Sequence, residues 1–201
     1  MTTPSKLFNQ TNQILNNIGA KIKFSETELI LTKGEVPYLE EEYGIIINDD
    51  VFAFYNNLNG AELEWSFKKN DTSINGFLCM TSFIELLDEN TEGKLWVDWY
   101  EGEDIKEIKK HRILEYIVGT DYFVTVKFES NGDYKLYYVP EGSVNHRGSK
   151  NLHEIPLTIK QYFNVINSYL GFSNIRYHLH KKEFYSAMEA QDLPPNVLLK
   201  E

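Results

Sequence analysis

From Val36 to Trp65 the chain reads Val-Pro-Tyr-Leu-Glu-Glu-Glu-Tyr-Gly-Ile-Ile-Ile-Asn-Asp-Asp-Val-Phe-Ala-Phe-Tyr-Asn-Asn-Leu-Asn-Gly-Ala-Glu-Leu-Glu-Trp. Two helices, a tight link and the entry to a strand are written into this stretch. Pro37 suits a first helical turn, where its missing N–H costs nothing, and Val36, Leu39 and Tyr43 then share one side. Gly44 stops the helix. Asn48 is placed to cap a second helix, and Asp49 and Asp50 suit the positive end of its dipole. Val51, Phe54, Tyr55 and Leu58 follow at i, i+3, i+4 and i+7, with Asn59-Gly60 as the expected stop. Alternation then takes over. Ala61, Leu63 and Trp65 (or Phe67) interleave with Glu62, Glu64 and Ser66, the period of a half-buried strand.

Working outward, Ser5 to Ile18 predicts a helix stopped by Gly19, and Ala20–Phe24 and Glu28–Leu31 predict short strands or an extended entry. Lys69-Asn70-Asp71 signals a turn before a strand over Ile74–Met80, and Thr81 or Ser82 caps a short helix through Leu87. Ile113–Val118, Tyr122–Phe128 and Tyr134–Val139 are rich in β-branched and aromatic residues, and Asn131-Gly132 supplies a tight hairpin turn between the last two. After Pro156, Ile159, Tyr162, Phe163, Ile166 and Leu170 form a helical stripe ended by Gly171. A final helix is expected over about 173–191. Leu95–Tyr100 fits either period. Helices before and after a run of strands, without βαβ alternation, predict one α+β domain over 1–201 in which helices cover one face of a mainly antiparallel sheet.

The motif Glu-x-x-Tyr-Gly-Ile (Glu40 to Ile45), a short link, the aromatic helix Phe52 to Tyr55, Asn59-Gly60 and Leu63 to Trp65 resembles the SUKH superfamily, also called Smi/Knr-like. That group includes bacterial immunity proteins and fungal cell-wall regulators. Where the family usually carries Pro after the apolar run, this chain has Asn48, itself a strong N-cap. The resemblance covers about residues 35–170, with 1–34 as an N-terminal helical extension, and implies the same α+β class. It further implies a protein that binds a cognate toxin domain, often a nuclease or other nucleic-acid-modifying enzyme, and blocks it. Resemblance to the fungal branch implies instead a regulatory scaffold.

Composition narrows the function classes. The net charge of -10 is unevenly spread: residues 1–34 carry +2, 35–104 carry -14, and 105–201 carry +2. Binding a nucleic acid backbone needs a basic footprint, so direct nucleic-acid contact is disfavoured and a basic protein partner favoured. The alternative is an acidic surface that serves solubility. No apolar run approaches a membrane span and the N-terminus lacks an apolar signal core, so a cytoplasmic protein is expected. The single cysteine, Cys79, lies in the apolar run Phe77–Met80 and reads as a buried, inert thiol.

Motifs for chemistry are weak throughout. His178 and His180 would point apart on a helix and could share a metal only on a strand. His111, His146 and His153 read as surface residues. Glu141-Gly142-Ser143 lacks the context of a nucleophile elbow, and Lys106–Arg112 reads as a solvated basic helix face. No catalytic residue, metal ligand or cofactor is assigned. The expected partner surface pairs large rings with acids: Trp99, Tyr100, Glu101, Glu103 and Asp104, with Glu62 and Glu64 on the outward side of their strand. The tryptophans fit a core as well as an interface, Trp96 more so. The resulting reading is a non-enzymatic protein-binding domain, with a scaffold and an enzyme of unrecognised site as rivals.

Overall fold

The computed structural model describes residues 3–69, 72–88, 104–116, 123–139, 152–171, 175–176 and 179. The elements are α1 (Pro4–Asn17), β1 (Lys21–Glu28), α2 (Val36–Tyr43), α3 (Asp49–Tyr55), β2 (Asn59–Lys69), β3 (Thr72–Met80), α4 (Phe83–Asp88), α5 (Asp104–Ile108), β4 (His111–Tyr116), β5 (Phe123–Phe128), β6 (Tyr134–Val139), β7 (His153–Ile155) and α6 (Ile159–Ser168). The described strands form one antiparallel sheet in sequence order, β1 to β7. The class is α+β, and no helix among the described residues is long and apolar enough to cross a membrane.

The predicted stripes point inward. Val51, Phe54, Tyr55 and Leu58 are buried, as are Ala61, Leu63 and Trp65 along β2. Ile159, Tyr162, Phe163, Ile166 and Leu170 join the same core, where the rings of Phe54 and Phe163 meet edge-on at 5.6 Å. Thr158 and Gln161 close a reciprocal capping box at the start of α6, which satisfies two backbone N–H groups that the helix cannot. Ser82, rather than Thr81, caps α4 with Glu85; Thr81 donates its hydroxyl to the carbonyls of Ile113 and Leu114 instead.

Several expectations need correction. Asn59-Gly60 does not end α3, which stops at Tyr55 with Asn56 as its cap; the pair opens β2, and Asn59 bridges the Leu29 carbonyl and the Phe83 N–H. One bulged strand, β1, extends the first expected segment as far as Glu28, because register shifts at Ile22/Phe24 and Glu26/Glu28 let the chain continue pairing with β2, whereas Leu29–Leu31 form no strand. Tyr43 is only half-buried, since its hydroxyl donates to Asp88 at 2.5 Å. β7 carries no run long enough to announce itself, yet extends the sheet beside β6. Helices also do not keep to one face. Pleating puts Phe123 opposite Val124, and Phe123, Ile113 and Val139 form a second small core with Ile108 of α5. Leu95–Tyr100 and almost all of the expected final helix lie outside the described residues; Ile175, Arg176 and Leu179 of that segment are buried.

Candidate protein-binding groove

Three chain segments distant in sequence meet at one end of the sheet, and a single side chain begins the junction. Asn48 caps α3 by accepting from the N–H groups of Asp50 (3.1 Å) and Val51 (2.9 Å), while its amide nitrogen donates to the Gly132 carbonyl at 2.8 Å. The helix start is thereby tied to the β5–β6 turn. That turn is longer than the two-residue one expected from Asn131-Gly132. Glu129 N–H donates to the Asp133 carbonyl (2.8 Å) and Gly132 N–H to the Glu129 carbonyl (3.0 Å), leaving Ser130, Asn131 and Gly132 at its tip. Gly132 has φ of 87°, and a Cβ there would come within 3.0 Å of the Ile46 side chain, so both backbone shape and space favour glycine.

Tyr134, the first residue of β6, makes the second tie. Its hydroxyl donates to Asp50 Oδ2 at 2.7 Å and accepts from the Ile159 N–H at 3.0 Å, joining α3, β6 and the first turn of α6. Burial, and then Asp50 beside it, raise the Tyr134 pKa, so the phenol stays a neutral donor. Between these ties lies a groove of about 870 Å³ lined in part by Asp50, Glu129, Asp133, Glu154 and Lys135. Four carboxylates face one ammonium, and Lys135 is already paired with Glu154 at 3.0 Å. Ile46, 48% exposed, stands beside the turn.

An anionic depression of this kind attracts cationic groups and offers acceptors to N–H donors. Among the described residues no group of three or more His, Cys, Asp and Glu side chains is arranged to hold a metal ion.

The residues expected to bind a partner are placed elsewhere or not described. Glu62 is exposed on β2; Glu64, half-buried on the same strand, pairs with Lys23. Neither lines the groove. Asp104 opens α5, and Trp99, Tyr100, Glu101 and Glu103 lie outside the described residues, as do His146, His178 and His180. Of the described acids singled out in the sequence, Asp50 alone lines the groove, together with the cap Asn48 and the turn residue Asn131. Glu129, Asp133 and Glu154 were missed, although two of them flank the Asn131-Gly132 turn signal.

Other candidate groups resolve into structure. His111 is not a surface residue: it opens β4, is 1% exposed and shares a hydrogen bond with Thr125 Oγ1 at 3.1 Å. Burial pushes its pKa down to about 4. The basic run around it is not one helix face, because α5 ends at Ile108 and Arg112 turns into β4, donating to the Leu87 carbonyl. Glu107 takes up Lys127 at 2.6 Å and Lys110 at 2.9 Å, which hold its pKa down at about 2. Cys79 is half-buried, and burial followed by the field of Glu62 pushes its thiol up to about 12, the opposite of an activated nucleophile. Compared with protein-family models, with curated proteins and with solved structures, the chain matches none.

Proposed function

We propose that this chain is a non-enzymatic, cytoplasmic protein-binding domain of SUKH type, an immunity protein that neutralises a basic cognate toxin domain by occluding it stoichiometrically. The observation that carries the reading is the acid-lined groove, where carboxylates from α3, the β5–β6 turn and β7 converge with one lysine among them. Such a field speeds the encounter with a basic surface and penalises acidic partners. Ile46 adds an apolar contact at the rim, where a partner residue can be desolvated. The rigid ties through Asn48 and Tyr134 hold the groove walls before any partner arrives, which lowers the ordering cost of binding.

The test is co-expression with the toxin domain encoded beside this chain's gene. The reading predicts restored growth and a one-to-one complex in which the toxin's activity is lost. Capture of several unrelated partners without relief of toxicity would favour the scaffold role instead.

A further inference from the structure

β7 is an outermost strand of the described sheet, and it stops early. Its register against β6 runs from Tyr138↔His153 to Leu136↔Ile155 and ends there. The next residue, Pro156, has no N–H to give a ladder, and the Leu157 N–H turns back to the Ile155 carbonyl at 2.8 Å in a three-residue turn. Thr158 then caps α6, so the chain leaves the sheet. One residue of β6, Tyr134, stands past the end of its neighbour.

The hairpin before Tyr134 fixes where its backbone groups point. The Glu129 N–H donates to the Asp133 carbonyl, which makes Lys127↔Lys135 the next hydrogen-bonded pair of β5 and β6 and Phe128↔Tyr134 a non-bonded one. Bonding sides alternate along an antiparallel strand, so the N–H and C=O groups of Tyr134, Leu136 and Tyr138 point towards β7. Leu136 and Tyr138 find Ile155 and His153 opposite them. Tyr134 finds no backbone partner there among the described residues, because the chain has vacated the place where Leu157 would stand. Its side chain is held at the hydroxyl by Asp50 and Ile159, which keeps the open backbone unit fixed in direction.

The charge around this gap names what fits it. Tyr134, Lys135, Ile155, Pro156 and Leu157 line the groove together with its acids. Glu154 pairs with Lys135, and Glu129 lies 3.6 Å from Lys127. The Asp50 and Asp133 carboxylates meet only neutral side-chain donors among the described residues, the Tyr134 hydroxyl at 2.7 Å and the Asn131 amide at 2.6 Å. Building on the protein-binding reading of this groove, we propose that an extended, cationic segment of the partner continues the line of β7 beside Tyr134. One residue of that segment exchanges two main-chain hydrogen bonds with Tyr134, and its arginine or lysine neighbours answer Asp50 and Asp133. Main-chain pairing contributes affinity whatever the sequence, and the acids select the charge. The clasp is one residue long, since the Gly132 carbonyl beyond it is already taken by Asn48.

Amide hydrogen exchange on the full chain tests this, first alone and then with a synthetic hexapeptide of alternating arginine and valine. In the free chain the Tyr134 amide should exchange about tenfold or more faster than the Leu136 amide, which β7 holds. Millimolar arginine–valine peptide should slow Tyr134 exchange about fivefold or more. A glutamate–valine peptide should not, nor should the arginine peptide with its backbone nitrogens methylated, which keeps the charge and loses the donors to the Tyr134 carbonyl. A Tyr134 amide as protected as Leu136 in the free chain would overturn the proposal, and so would no slowing by the arginine peptide or equal slowing by its methylated form. Relief of toxicity is read separately. Neutralisation of the toxin with Tyr134 unprotected in that complex removes the clasp and leaves the immunity role standing, whereas peptide pairing without neutralisation does the reverse.

Discussion

The molecule holds carboxylates in two opposite settings. Glu115 is wholly buried and answered on every side, by two bonds from Arg176 and one from Tyr162. The groove acids Asp50, Asp133 and Glu154 are exposed, and only Lys135 answers them as a cation on the groove lining. The difference lies in desolvation. A buried charge costs several kcal/mol to dehydrate and is stable only when its partners are complete, whereas an exposed one keeps its hydration and remains available to a partner. Burial drives the phenol of Tyr162 upward in pKa, with Glu115 adding to the effect; for Arg176 burial pulls the other way, and the Glu115 charge outweighs it. The first setting is stable only as a complete set, and the second is suited to recognition.

The largest effect should come from breaking the buried pair. Arg176→Met leaves Glu115 uncompensated and should cost about 3–5 kcal/mol in urea denaturation, while Arg176→Met combined with Glu115→Leu should recover most of that loss. A single variant as stable as the natural chain would show that the cluster is hydrated in solution. Next comes the tie that holds the groove walls: Tyr134→Phe removes the acceptor of the Ile159 N–H and the donor to Asp50, and should cost about 1–2 kcal/mol by the same measurement.

How much of this was legible depends on how far apart the interacting residues lie. The stripes of α3 and α6 and the alternation of β2 depend on neighbours a few residues away, so period alone assigns them. Asn48 was readable as a cap, but its second bond reaches Gly132, 84 residues on. Glu115 and Arg176 are 61 residues apart in chain regions that carry no mutual signal. The groove was hidden by the way charge was summed. Three of its four acids come from the region after residue 104, whose net charge is only +2 because basic residues elsewhere in it cancel them. His111 was misread because a polar run looked like one helix face, whereas the chain changes to a strand at that residue and turns its imidazole inward.

That imidazole sharpens the comparison through pH. His111, packed near Glu107, Lys127 and Lys110, has its pKa lowered from 6.5 to about 4 by burial, with Glu107 opposing. Between those values the unfolded chain binds more protons than the native one. The site's contribution to stability is therefore full above pH 6.5 and is lost as pH falls towards 4. His111→Gln should flatten the stability profile across that window. Denaturation midpoints at several pH values check this, and an unchanged slope would mean that the imidazole is hydrated in the native state.

The smallest effect on stability should come from the groove. Asp50→Asn, Glu129→Gln, Asp133→Asn and Glu154→Gln together remove charge from side chains none of which is fully buried, so stability should change by about 0.5 kcal/mol per site or less. Their effect belongs to association. The most direct measurement is the association rate of this fourfold variant with the proposed partner, the toxin domain encoded beside this chain's gene, by stopped flow at several salt concentrations. The account predicts that the variant binds more slowly at low salt and with a weaker salt dependence than the natural chain, because steering charges act mainly through the on-rate. An association rate and salt slope identical to those of the natural chain would contradict it and remove the groove from the interface.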